Sequence, residues 1–366
     1  MKIDFIAYHS IHAQCGQSVF NFLSKYFECR WVIGPFTEPE GGEGDAAVML
    51  DHRAYHNLYK SKRGYKYLFH LSHDLADINL YEEDKLYDFD LIFVPTTKHY
   101  RACIENGYES KKVINSGWSK YDLVERNPSW DFMGNFSQNK QTLIYAPSWV
   151  ISNEWKILLK YFSDLNFNII IKNHPLVDEG QKLPVGQEEE YTKALNAIEE
   201  MEEKAKSLGF IIAPRKMNIV ELFIHSKASV AVSDVSSCLL EFVPFGTSIE
   251  TGGGDGPSDA SSFSSEVKYI PAEDLISLSP DEFCSLINKE NNKDSLLIFD
   301  LNTSYGELIA NNIKEHITNI KPNIKYKDSK GYYLFKATIK KKIKKIILAI
   351  LPKIFSKKIF SLVNKK

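Results

Sequence analysis

Residues 229–245 read SVAVSDVSSCLLEFVPF. Val230, Ala231 and Val232 form an apolar run of the length and composition of a buried strand. Ser233 to Ser237 is a polar turn. Cys238 to Phe242 then places its apolar residues at the spacing of a first helical turn. Strand, turn and helix in this order make a βα unit, and such turns lie at the carboxyl end of a parallel sheet, where ligands bind. The first N–H groups of a helix have no internal partner, and the helix dipole favours negative charge there. Ser236 and Ser237 therefore either cap the helix or help those N–H groups to hold a phosphate.

Three other stretches repeat the pattern of a strand running into a polar loop. They are LIYAPSW at 143–149, IIIKNHP at 169–175 and SGWSKYD at 116–122. The second ends on a cation, an amide and a histidine, Lys172, Asn173 and His174. Taken in order, these loops resemble those of the CDP-glycerol glycerophosphotransferases of teichoic acid and capsule synthesis. That family carries Gly-Tyr-Pro-Arg-x-Asp, Tyr-Ala-Pro-Thr-Trp, Arg-x-His-Pro and Thr-Asp-Tyr-Ser-Ser. This chain has Gly117–Asp122, Tyr145–Trp149, Lys172–Pro175 and Ser233–Ser237 in the same order, with Lys120 and Lys172 where the family has arginine. The likeness runs over roughly residues 65 to 250.

The resemblance implies the GT-B architecture, an α/β fold of two Rossmann-like domains facing a cleft. It implies transfer of a glycerol or ribitol phosphate from a CDP-activated donor to a hydroxyl of a lipid-linked glycan of the cell envelope, with release of CMP. His70 or His73 would be the base that takes the acceptor proton, a task suited to a side chain that titrates near neutrality. His174 would meet the leaving phosphate. Lys172, Lys120, Ser148, Asp234, Ser236, Ser237 and Glu221 would line the donor. His9 and His12, in the loop after the first strand, are either acceptor-side groups or ordinary loop residues. No cofactor is expected. Cys15 and His12 have no further ligand at metal-site spacing, so no metal is expected either.

Composition bounds these readings. The 366 residues are 43% hydrophobic, 13% aromatic and nearly neutral, at −2. That length suits two domains, placed at 1–135 for the acceptor and 136–320 for the nucleotide donor, with a tail at 321–366. From Lys336 to Lys366 there are 11 lysines and no acidic residue, which leaves 34 basic against 47 acidic side chains in the rest. An acidic body with a basic end does not fit a nucleic-acid binder. In the tail, lysines and apolar residues segregate at helical spacing, as in an amphipathic helix lying on an anionic membrane surface. Met1-Lys2-Ile3-Asp4 reads as a strand entry and not as a signal peptide. No stretch is apolar enough to span a bilayer. Five scattered cysteines fit reduced thiols in the cytoplasm, at the inner face of the membrane. Two other readings stand beside the first. One is a GT-B glycosyltransferase using a nucleotide sugar in surface polysaccharide synthesis. The other is a non-catalytic, membrane-associated GT-B-like protein.

Overall fold

The computed structural model describes residues 1–7, 10–33, 44–50, 65–76, 86, 89–124, 136–148, 152–175, 188–215, 217–252, 259–288 and 303–320. Its strands form two all-parallel sheets of six. The first holds β1 (Lys2–Ala7), β2 (Glu28–Ile33), β3 (Ala46–Met49), β4 (Tyr67–Leu71), β5 (Leu91–Val94) and β6 (Val113–Asn115), in the order β2-β1-β3-β4-β5-β6. The second holds β7 (Gln141–Tyr145), β8 (Phe167–Ile171), β9 (Ile211–Ile212), β10 (Val230–Ser233), β11 (Thr247–Glu250) and β12 (Val267–Tyr269), in the order β12-β11-β10-β7-β8-β9. Helices cover both faces, so central strands such as β3, β5 and β10 are buried throughout and read as unbroken apolar runs.

Among the described residues the α-helices are α1 (Ser10–Leu23), α2 (Thr97–Glu105), α3 (Trp155–Ser163), α4 (Glu188–Ser207), α5 (Ile219–Ser226), α6 (Cys238–Phe242), α7 (Asp259–Phe263), α8 (Ala272–Ser277), α9 (Pro280–Asn288) and α10 (Tyr305–Asn319). Several start where the sequence puts a cap. Thr96 accepts the His99 N–H at α2, and Asn218 accepts the Val220 N–H at α5. Ser279 and Glu282 make a reciprocal capping box at α9, as the Ser-x-x-Glu spacing requires.

Both halves are thus Rossmann-like, in the two-domain α/β arrangement of the GT-B fold. In each sheet the strand order reverses once, at β1/β3 in the first and at β7/β10 in the second. In open parallel sheets, ligands bind at the carboxyl ends of the strands beside such switch points.

Helix α10 returns to the first half. It packs on α1, and its His316 ring lies edge-on to Phe69 at 5.7 Å and to Tyr67 at 6.1 Å. Its first turn is capped by Asp122, which accepts the N–H groups of Tyr305 (3.0 Å) and Gly306 (2.6 Å). A carboxylate at a helix N-terminus pairs both with orphan donors and with the helix dipole. Gly117 has φ +73°, and a Cβ there would fall 2.2 Å from the Tyr305 ring. Only glycine allows the loop and α10 to approach this closely.

Residues 1–320 form one compact unit. No helix among the described residues is long and apolar enough to cross a membrane. The basic tail, His9 and the boundary near residue 135 lie outside the described residues.

Candidate functional site

The switch point of the first sheet carries a pair of imidazoles. His12 lies on α1, and His73 follows β4 by two residues. Their ring centroids are 4.1 Å apart at 35°. His73 Nδ1 sits 2.7 Å from the carbonyl oxygen of Leu50, directly after β3. A carbonyl only accepts, so Nδ1 carries the proton and Nε2 is the basic nitrogen of the neutral ring. His70 is placed differently. It lies within β4, fully buried, with its ring edge-on to Phe89 at 5.5 Å. Strand β4 runs through Leu71 before the chain turns, so His73, half-exposed, is the histidine that stands at the strand end.

In the second sheet the switch point is fastened by Asp234. Its carboxylate accepts the Ser148 N–H (2.7 Å), the Ser148 hydroxyl (3.1 Å) and the Val235 N–H (2.8 Å). Asp234 and Ser148 therefore tie the turn after β10 to the turn after β7. Ser236 caps α6, its hydroxyl accepting the Cys238 N–H at 3.3 Å, while Ser237 makes no side-chain cap bond. The turn thus holds one hydroxyl that caps the helix and one that does not.

Lys172 emerges from β8 and is 2% exposed. Its ammonium donates to the carbonyls of Asn173 (2.9 Å) and Arg215 (2.8 Å), which leaves a third N–H. Burial, and then the charge of Lys120, push its pKa down to about 7. An anion beside it would restore the charge. His174, two residues on, is half-exposed at the same strand end, and Glu221 lies in the first turn of α5.

Lys120 comes from the first half, in the short 3-10 turn Ser119–Leu123. It forms an ion pair with Glu241 of α6, at 2.9 and 3.0 Å to the two carboxylate oxygens. Burial is the largest single influence and works against the Lys120 charge, but the Glu241 carboxylate together with the nearby Cys15 and Cys238 turns the net direction upward. Trp118 Nε1 also donates to Glu241 (3.0 Å), and the Tyr121 hydroxyl donates to its main-chain oxygen (2.9 Å). The sequence reading missed Glu241. Its position in the first turn after the two serines was the only available signal. Cys15 and Cys238 adjoin the same charges, but burial pushes both thiols up to about 12, so neither supplies a thiolate near neutral pH. No group of three or more metal-ligating side chains occurs among the described residues.

The chain matches no family model and no curated protein sequence. Its fold is that of UDP-N-acetylglucosamine 2-epimerases. The Methanocaldococcus jannaschii enzyme, solved with UDP-GlcNAc and UDP, superposes with a TM-score of 0.56 at 13% identity, over 86% of this chain and 99% of that one. The Neisseria meningitidis enzyme bound to UDP-GlcNAc gives 0.56 at 12%, over 86% and 100%. The enzyme from Rickettsia bellii gives 0.56 at 14%, over 89% and 98%.

These matches correct the resemblance to CDP-glycerol glycerophosphotransferases. With it fall the polyol-phosphate transfer, the CDP-polyol donor, the release of CMP, the lipid-linked glycan acceptor and the teichoic acid assignment. The physical reason lies in what the short motifs encode. Loops such as 145–148, 172–175 and 233–237 are strand-end turns of the kind that parallel sheets place along one crevice. Their order reports the two-sheet architecture and not the group transferred.

Proposed function

We propose that the protein is an enzyme acting on a nucleoside-diphosphate sugar, of the UDP-sugar class bound by the epimerases that share its fold. The observation that carries the reading is Lys172, a buried cation with an N–H to spare, at the end of β8 and near enough to Cys238, which follows the Ser236–Ser237 turn, to interact with it electrostatically. In this reading Lys172, Ser236, Ser237 and His174 hold the diphosphate in the second half. Ser148 and Asp234 fix the turn that presents the serines, and Glu221 borders the nucleotide. The His12–His73 pair stands on the sugar side. The bond from the sugar C1 to the β-phosphate oxygen breaks, and its electron pair stays on the diphosphate, where Lys172 stabilises the charge that develops. His73 Nε2 takes one proton: from the sugar C2, whose C–H electron pair then forms the C1–C2 double bond, or from an acceptor hydroxyl, whose oxygen then forms the new bond to C1.

The division into 1–135, 136–320 and 321–366 belongs to the same proposal, with α10 returning from the second half to the first. So does a peripheral position at an anionic membrane surface, supported by the 11 lysines of 336–366.

Proton NMR of the full chain with UDP-GlcNAc in deuterated water tests the chemistry. Deuterium at the sugar C2 with a new 2-epimer identifies epimerisation, and release of UDP identifies transfer or hydrolysis. An unchanged spectrum with UDP-GlcNAc, UDP-glucose and UDP-galactose would sink the proposal.

A further inference from the structure

Lys120 has the composition of a diphosphate ligand, yet its donors point elsewhere. Its ammonium meets both oxygens of Glu241, and the side chains of the pair are only 15% and 7% exposed. Glu241 is also where Trp118 and Tyr121 end, so three side chains of one loop converge on one residue of the other half. That residue lies in α6, which has five residues. A helix this short has no stability of its own and takes its orientation from tertiary contacts. The Ser236–Ser237 turn leads directly into it. At its other side the loop is bound to the first half. The Ser119 hydroxyl donates to the Cys15 carbonyl, the Ser18 hydroxyl donates to the Ser119 carbonyl (3.2 Å), and Asp122 caps α10.

We propose that Lys120 is a positioning residue that acts on the diphosphate through Glu241: it clamps α6, and with it the Ser236–Ser237 turn, against the first half, without touching the ligand. The proposal rests on the nucleotide-sugar reading and adds the coupling that makes donor binding depend on the other domain. Breaking a buried ion pair by removing one partner leaves a buried charge uncompensated. Either single change therefore loosens the turn, and the second change then has nothing left to break.

The test is a double-mutant cycle on UDP affinity, measured by calorimetry on the full chain well below each variant's melting temperature. K120M and E241Q are each expected to weaken UDP binding by about tenfold or more, and K120M/E241Q by no more than about threefold beyond either single. E241Q keeps an acceptor for Trp118. K120R keeps the charge and is expected to bind within about threefold of the natural chain. Multiplicative losses in the double variant would mean that Lys120 contacts the ligand itself. Unchanged affinity in the single variants, or tighter binding by E241Q, would also overturn the proposal. Should the natural chain bind no UDP, the function reading fails, and the coupling is read by amide exchange over residues 236–242. Faster exchange there in K120M upholds the clamp, and unchanged exchange removes it.

Discussion

Lys172→Met isolates the most perturbed charge in the crevice. Burial and the neighbouring Lys120 lower the Lys172 pKa from 10.5 to about 7 in the folded chain. Between those values the unfolded chain binds a proton that the folded chain lacks. Stability rises with pH wherever the unfolded state holds more protons, so this lysine makes the fold more stable from about pH 7 to 10.5. Below about pH 7 both states are protonated and the full cost of burying the charge applies. The whole window amounts to on the order of 5 kcal/mol, at about 1.4 kcal/mol per pH unit. The substitution also orphans the carbonyls of Asn173 and Arg215, at about 1–3 kcal/mol each. At neutral pH these effects nearly offset, so absolute stability is a poor readout and the slope is a good one. Urea unfolding of both chains from pH 7.5 to 9.5 measures it. Other groups titrate alike in both and cancel. The natural chain is expected to gain roughly 2–3 kcal/mol relative to K172M across that range. Parallel curves would refute the burial argument and remove Lys172 as a poised cation.

Four further outcomes follow from the geometry. Asp122→Ala removes the cap of α10 and is expected to cost about 1–2 kcal/mol in urea unfolding, with faster amide exchange at Tyr305 and Gly306. Gly117→Ala meets both a left-handed backbone and the Tyr305 ring, so a loss of at least about 2 kcal/mol is expected, and a neutral result would show that α10 can shift. His73→Gln is expected to lower turnover of the UDP-sugar about 100-fold or more with little change in UDP affinity, whereas His70→Gln, inside the sheet, is expected to lower melting temperature.

The sequence announced the strands that are apolar on both faces. The runs at 143–145, 169–171 and 230–232 needed no structure, because covered parallel strands have no polar side to confuse the pattern. Strand β2 was passed over because it is an edge strand, half-exposed, with Glu28, Cys29 and Arg30 interrupting its apolar residues. Strand β11 hid for the opposite reason. Thr247, Ser248 and Glu250 look like loop residues, yet all are buried. Their partners are the Ile287 carbonyl, the Leu239 carbonyl and the Ser261 N–H. Side-chain bonds to distant backbone leave no local trace.

The candidate residues divide in the same way. Lys172, Ser236 and Ser237 could be picked out as candidates because strand-end chemistry is local. The choice between His70 and His73 depends on where β4 stops, at Leu71, which the sequence left open. The Lys120–Glu241 pair spans 121 positions, and no spacing rule reaches that far. The substrate class was misread for a related cause, since loops at the ends of parallel strands share composition whatever they bind.

The central claim is a diphosphate held at Lys172 and the Ser236–Ser237 turn. Calorimetric titration of the full chain with UDP-GlcNAc, beside K172M and the S236A/S237A pair, tests it most directly. The account predicts saturable one-to-one binding by the natural chain and affinity at least about tenfold weaker in both variants, a loss of about 1.4 kcal/mol or more. Absence of binding by the natural chain, or equal affinity in all three, would contradict it.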